Sequence, residues 1–189
     1  MAKVAANTLR KGMVVEYNEK LWVIMENELR SPGKGAAVAQ VLMRDLRSGS
    51  KMDIRFATQD MVERVRVEEE EYQFLYGNDG EYTFMHVENY EQIIVPQDII
   101  GEPSAFLQDG MVCSCQMYEG KPLSVTLPEL VTMTIVEADP VVKGQTASSS
   151  YKPAVLENGV RVMVPPHIES GTRIVVKTAD ASYVERAKD

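Results

Sequence analysis

Short apolar runs rich in Val, Ile, Leu and Met alternate with turn residues along the whole chain, and no long stretch keeps an apolar stripe at i, i+3, i+4, i+7. Such a chain cannot build a helical core, so it is expected to be all-β. Its turns fall where hairpins need them. Met13 to Tyr17 and Leu21 to Met25 flank Asn18-Glu19-Lys20, and Val38 to Leu46 and Lys51 to Phe56 flank Arg47-Ser48-Gly49-Ser50. Tyr72 to Tyr76 and Glu81 to Val87 flank Gly77-Asn78-Asp79-Gly80, and Met111 to Tyr118 and Pro122 to Thr126 flank Glu119-Gly120-Lys121. Ser104 to Gln108 suits one helical turn. The last third carries Val131 to Glu137, Ala154 to Leu156, Val160 to Val164 and Arg173 to Thr178.

Strand spacing and charge together divide the chain into three small barrels. Residues 1–65 hold 11 Lys/Arg against 8 Asp/Glu, residues 66–128 hold 2 against 12, and residues 129–189 hold 7 against 8. The predicted domains are therefore an SH3-like or KOW-like barrel at 1–65, an acidic OB-like barrel at 66–128 and a second OB-like barrel at 129–189. The net charge of −8 argues against a nucleic-acid partner only when summed. Taken by segment, the first barrel alone is basic, so phosphate contacts should begin there. The glutamates at 68–71 suit a solvated strand edge protected from pairing with other chains.

Chemistry is sparse. Enzymes need a nucleophile beside a base, a carboxylate pair in a cleft, or a metal, and none of these is apparent. His86 and His167 stand apart without a nucleophile motif. Cys113 and Cys115 are one residue apart, on one face of a strand, which suits buried free thiols better than a disulfide. No metal site is expected, since no C-x-x-C accompanies the histidines. No run of 18 apolar residues and no apolar leader appears, so a cytoplasmic protein is expected, with no membrane partner.

One loop stands out: Ser31-Pro32-Gly33-Lys34-Gly35. It is not a phosphate-binding P-loop, because Lys34 is followed by Gly35 and a strand rather than by Ser or Thr and a helix. Pro32 restricts its own φ and favours an extended Ser31, while Gly33 and Gly35 permit sharp backbone on either side of Lys34. The lysine is thereby held clear of its barrel. A solvated hairpin tip is the plainer alternative.

Two distant stretches lift the loop above that alternative. Pro32-Gly33-Lys34-Gly35, in a basic N-terminal β segment, and Lys152 to Gly171, which contains Glu157-Asn158-Gly159-Val160-Arg161-Val162 and Val164-Pro165-Pro166-His167-Ile168, together resemble bacterial elongation factor P. Asp139-Pro140, Lys143-Gly144, Tyr183 and Arg186 are similar too, and the resemblance spans essentially the whole chain. It implies an elongated, L-shaped arrangement of the three barrels and a non-enzymatic monomer that binds the ribosome beside peptidyl-tRNA and relieves stalling at consecutive prolines. Lys34 would reach toward the peptidyl-transferase centre from a loop of Ser31, Pro32, Gly33 and Gly35 against peptidyl-tRNA and ribosomal RNA. A lysine-modifying enzyme would extend Lys34 by a β-lysyl group, with no separate cofactor. Gly144, Thr146, Lys152, Tyr183 and Arg186 are the implied contacts of the third barrel with tRNA or the small subunit. Ala36-Ala37 and Gln145 depart from residues common in the family. The alternative functions are a general single-stranded RNA-binding OB-fold protein and, further off, an enzyme using Lys34 as a Schiff base, which would require that lysine to be buried.

Overall fold

The computed structural model describes residues 2–140 and 150–188. Its first sheet is built from β1 (Ala2–Ala5), β2 (Val14–Tyr17), β3 (Lys20–Arg30), β4 (Val38–Asp45), β5 (Lys51–Ala57) and β6 (Met61–Val65), in the order β1-β6-β2-β3-β4-β5. Alternation decides what each strand buries. On β4, Ala39, Val41 and Met43 are fully enclosed while the intervening side chains are half exposed, the period-two pattern of a sheet with one wet face. Val15, Trp22, Ile24, Phe56 and Val62 complete this core. The Trp22 indole N–H donates to Tyr17 O at 3.0 Å, so the ring is buried without an orphaned donor.

The second sheet comprises β7 (Glu68–Asn78), β8 (Glu81–His86), β9 (Gln92–Pro96), β10 (Val112–Tyr118) and β11 (Lys121–Thr126), ordered β11-β10-β7-β8-β9. Phe74, Phe84, Tyr72 and Val95 are buried in it. A four-residue helix, α1 (Gln97–Ile100), and a 3-10 turn at Glu102–Phe106 precede β10. The third sheet comprises β12 (Leu130–Ala138), β13 (Lys152–Leu156), β14 (Arg161–Val164), β15 (Arg173–Lys177) and β16 (Ser182–Arg186), ordered β14-β13-β12-β15-β16. By compactness the chain divides into one unit of Met1–Glu70 with Cys115–Val125 and a second of Glu71–Ser114 with Thr126–Asp189.

The all-β expectation is met, with three sheets and almost no helix. Differences lie at the ends of elements. β3 runs past Met25 to Arg30, and the short strands β1, β6, β9 and β16 carry too few alternating residues to declare themselves. The glutamates at 68–71 begin β7, whose pairing with β8 starts only at Tyr72, and they are mostly exposed. The β7–β8 turn narrows to Asp79 and Gly80 because pairing continues to Asn78 and Glu81. Asp79 and Gly80 have φ of 50° and 78°, and Asn18 with Glu19 (48° and 61°) and Glu119 with Gly120 (48° and 77°) repeat the pattern. Positive φ at both central residues is the twist-matched geometry of two-residue hairpins.

Candidate functional site: the Lys34 arm

The strands β3 and β4 pair from Trp22 opposite Asp45 to Arg30 opposite Val38, well beyond the core. Burial falls along β3: Trp22, Val23 and Ile24 are enclosed, whereas Glu28, Leu29 and Arg30 are exposed. A bulge separates the two halves, because Ile24 faces Met43 but Glu26 faces Leu42, leaving Met25 as the extra residue. Such a bulge bends the ribbon and raises its local twist.

Side chains fix the base of this arm. The Asn27 amide Nδ2 donates to Ala6 O at 2.9 Å and Leu9 O at 3.1 Å, clasping β3 to the segment after β1. Thr58 N–H donates to Ala37 O at 3.3 Å, which holds the returning limb. Further out, Arg30 Nη2 meets Glu28 Oε2 at 3.0 Å, both about half exposed. Hydrogen bonding to Glu28 raises the Arg30 pKa. Sequence inspection overlooked Asn27 and Arg30, since the partners of Asn27 lie 18 and 21 residues away and leave no local signal.

Ser31, Pro32, Gly33, Lys34, Gly35 and Ala36 are all exposed. Gly35 has φ of +136°, a conformation L residues rarely adopt, while Gly33 is absent from the positive-φ glycines. A Cβ built on Gly33 meets nothing within 4 Å, and one on Gly35 meets only Pro32 Cγ at 3.9 Å. The tip is therefore open around Lys34, and the backbone demand for glycine falls at Gly35. The sequence had distributed that demand over both glycines. A Schiff-base lysine needs burial, and Lys34 has none.

The residues singled out in the last third belong to the other unit. Lys152, on β13, donates from Nζ to Asp139 O at 2.5 Å. Tyr183, half-buried on β16, meets the Tyr151 ring edge-to-face at 6.3 Å, and burial pushes its phenol pKa up. Arg186 ends β16, exposed and paired along the backbone with Ile174. Gly144 and Thr146 lie outside the described residues. Elsewhere, His86 Nδ1 accepts the N–H groups of Glu88 and Asn89 at 3.1 and 3.3 Å, a packing role. Cys113 and Cys115 are buried and not joined in a disulfide. Among the described residues no group of three or more His, Cys, Asp or Glu is placed to hold a metal, and no helix is long and apolar enough to cross a membrane.

Three family models match consecutive parts of the chain. These are the elongation factor P KOW-like domain at residues 5–62, the elongation factor P OB domain at 67–125 and the elongation factor P C-terminal domain at 131–186. At full length, the chain is 58% identical over 187 residues to elongation factor P of Rhodospirillum centenum, covering 99% of this chain and 100% of that protein. It is 54% identical over 187 residues to the Methylobacterium radiotolerans protein of that name, with the same coverage. It is 52% identical over 189 residues to the Xanthobacter autotrophicus one, covering all of both chains.

Proposed function

Because the chain belongs to the bacterial elongation factor P family and is a translation elongation factor, we propose that it binds the ribosome beside peptidyl-tRNA and promotes peptide-bond formation at consecutive prolines by placing Lys34. The observation that carries this is the arm: a two-stranded ribbon extending past the core, bulged at Met25 and tipped by an exposed lysine beside a left-handed Gly35. Only the basic segment 1–65 contributes it, in a chain whose middle is strongly acidic. Phosphate and ribose contacts suit an ammonium on a flexible stem.

The chain supplies no bond-making of its own in this account. Proline is conformationally restricted and a poor participant in peptide-bond formation, and a factor that steadies the tRNA and the nascent chain lowers the barrier through orientation. A β-lysyl extension of Lys34, added by a modifying enzyme, would lengthen the reach and add amine donors at the tip. In the third sheet, Lys152, Tyr183 and Arg186, with Gly144 and Thr146 nearby in sequence, would touch the tRNA stem or the small subunit.

The test is a reconstituted translation system reading messages with and without consecutive prolines. The factor should accelerate the first and leave the second unchanged, and equal effects on both would contradict the proposal. The mass of the Lys34 peptide from native cells should exceed that of unmodified lysine. An unmodified peptide would remove the β-lysyl extension and leave the ribosome reading standing.

A further inference from the structure

We propose that Gly12 is a positioning residue for the Lys34 arm, the spacer through which the β10–β11 hairpin sets the direction in which the arm points. The proposal rests on the reading that Lys34 is the effector. Gly12 is buried, with φ of +90°. Its N–H donates to Ile24 O at 2.8 Å, and Ile24 N–H returns to Met13 O at 2.8 Å, so the turn from Arg10 to Met13 lies on β3 just before the Met25 bulge. One side of Gly12 is thus bonded to the base of the arm, where Asn27 also clasps the preceding segment.

Its other side faces Gln116 of β10 and Ser124 of β11, in the stretch Cys115–Val125 that belongs to the same compact unit. A Cβ on Gly12 would lie 2.0 Å from Gln116 Oε1, 2.7 Å from Gln116 Cδ and 2.8 Å from Ser124 Oγ, far inside van der Waals contact. Ser124 is buried, and Gln116 Oε1 is a buried oxygen without a hydrogen-bond partner among the described residues. The Gln116 carboxamide occupies the space that a side chain at position 12 would take. The contact is therefore backbone against side chain: φ favours glycine, and the space a Cβ would take is held by the Gln116 carboxamide and the buried Ser124 hydroxyl. A side chain at position 12 must turn the Gln116 carboxamide aside and press on the buried Ser124, which strains the joint between the hairpin and the arm base. Because the arm is long, a small rotation at its base becomes a larger displacement at Lys34.

The test pairs a distance with an activity. Nitroxide labels on Leu29→Cys and Lys121→Cys report the separation of the arm and the β10–β11 turn, since Cys113 and Cys115 are buried. The parent should give one narrow distance. Gly12→Ala should shift or broaden it by more than about 2 Å, and lower proline-message acceleration about tenfold, as misplaced reacting groups do. Adding Gln116→Ala to Gly12→Ala vacates the space and should restore distance and activity, while the φ strain keeps the melting temperature low. A purely structural role for Gly12 would lower the melting temperature and leave the distance unchanged, which overturns the proposal, as does a shifted distance with full activity. Should Gly12→Ala fail to fold, Ser124→Val presses the same joint from the other side and is judged by the same two readouts. If Lys34→Ala proves fully active, the reading of Lys34 fails, and the distance still reports separately on the joint.

Discussion

Lys34 draws its interest from its setting: it is exposed at an open tip, and the backbone beside it takes a path that glycine permits. Gly35 and Gly33 should separate cleanly on mutation. Gly35→Ala forces a side chain into φ +136° and should reduce proline-message acceleration severalfold while shifting the melting temperature little, because the strain is confined to an exposed tip. Gly33→Ala, with open space around its Cβ, should be close to neutral in both measurements. At Cys113, burial pushes the thiol from 9.0 up to about 11. Between those values the unfolded chain has released the proton and the folded chain retains it, so stability should fall as pH rises through that window and level off above it. Cys113→Val should flatten the fall in denaturation midpoints measured from pH 8 to 11. Native protein should also resist alkylation at both cysteines, since both are buried.

At the level of elements, the hairpins were the most legible part of the chain and their lengths the least. Turn residues marked where β2 meets β3 and where β10 meets β11, because Asn, Glu-Gly and Asp-Gly pairs tolerate the positive φ these turns require. Glu19 and Glu119 are the strained members, at φ 61° and 48° without being glycine. Glu19→Gly should raise stability by about 0.5–1 kcal/mol in chemical denaturation, by relieving the left-handed cost at an exposed position. The arm was harder to foresee. Its outer half alternates Glu26, Asn27, Glu28, Leu29 and Arg30 with little apolar pattern, so periodicity ended the strand at Met25, where the structure has a bulge and then continues for five residues. Pairing across the ribbon and the Asn27 clasp supply the missing information, and both depend on residues distant in sequence. The flanking proline and glycines marked Lys34 as a loop tip, and the structure has it exposed there. Gly12 was not, because nothing in Lys11-Gly12-Met13 discloses that Gln116 and Ser124 stand against it.

For the molecule as a whole, charge and pattern divide the labour. The basic segment carries the arm, the acidic segment supplies the β10–β11 hairpin that rests against the arm's base, and the last segment builds a sheet of its own with Tyr151 and Tyr183 in edge contact. The three matched domains follow that order along the chain. The acidic middle is unsuited to phosphate, so free single-stranded RNA should bind weakly, whereas a site built on the ribosome can engage the basic arm alone. Everything then turns on whether the exposed amine does the work by placement. The direct measurement is the rate of synthesis through consecutive prolines in a reconstituted system with Lys34→Ala in place of the parent protein, at equal concentration and with its folded state verified by an unchanged melting temperature. The acceleration should drop at least about tenfold, as loss of an orienting group does; undiminished acceleration by the folded alanine variant would contradict the account.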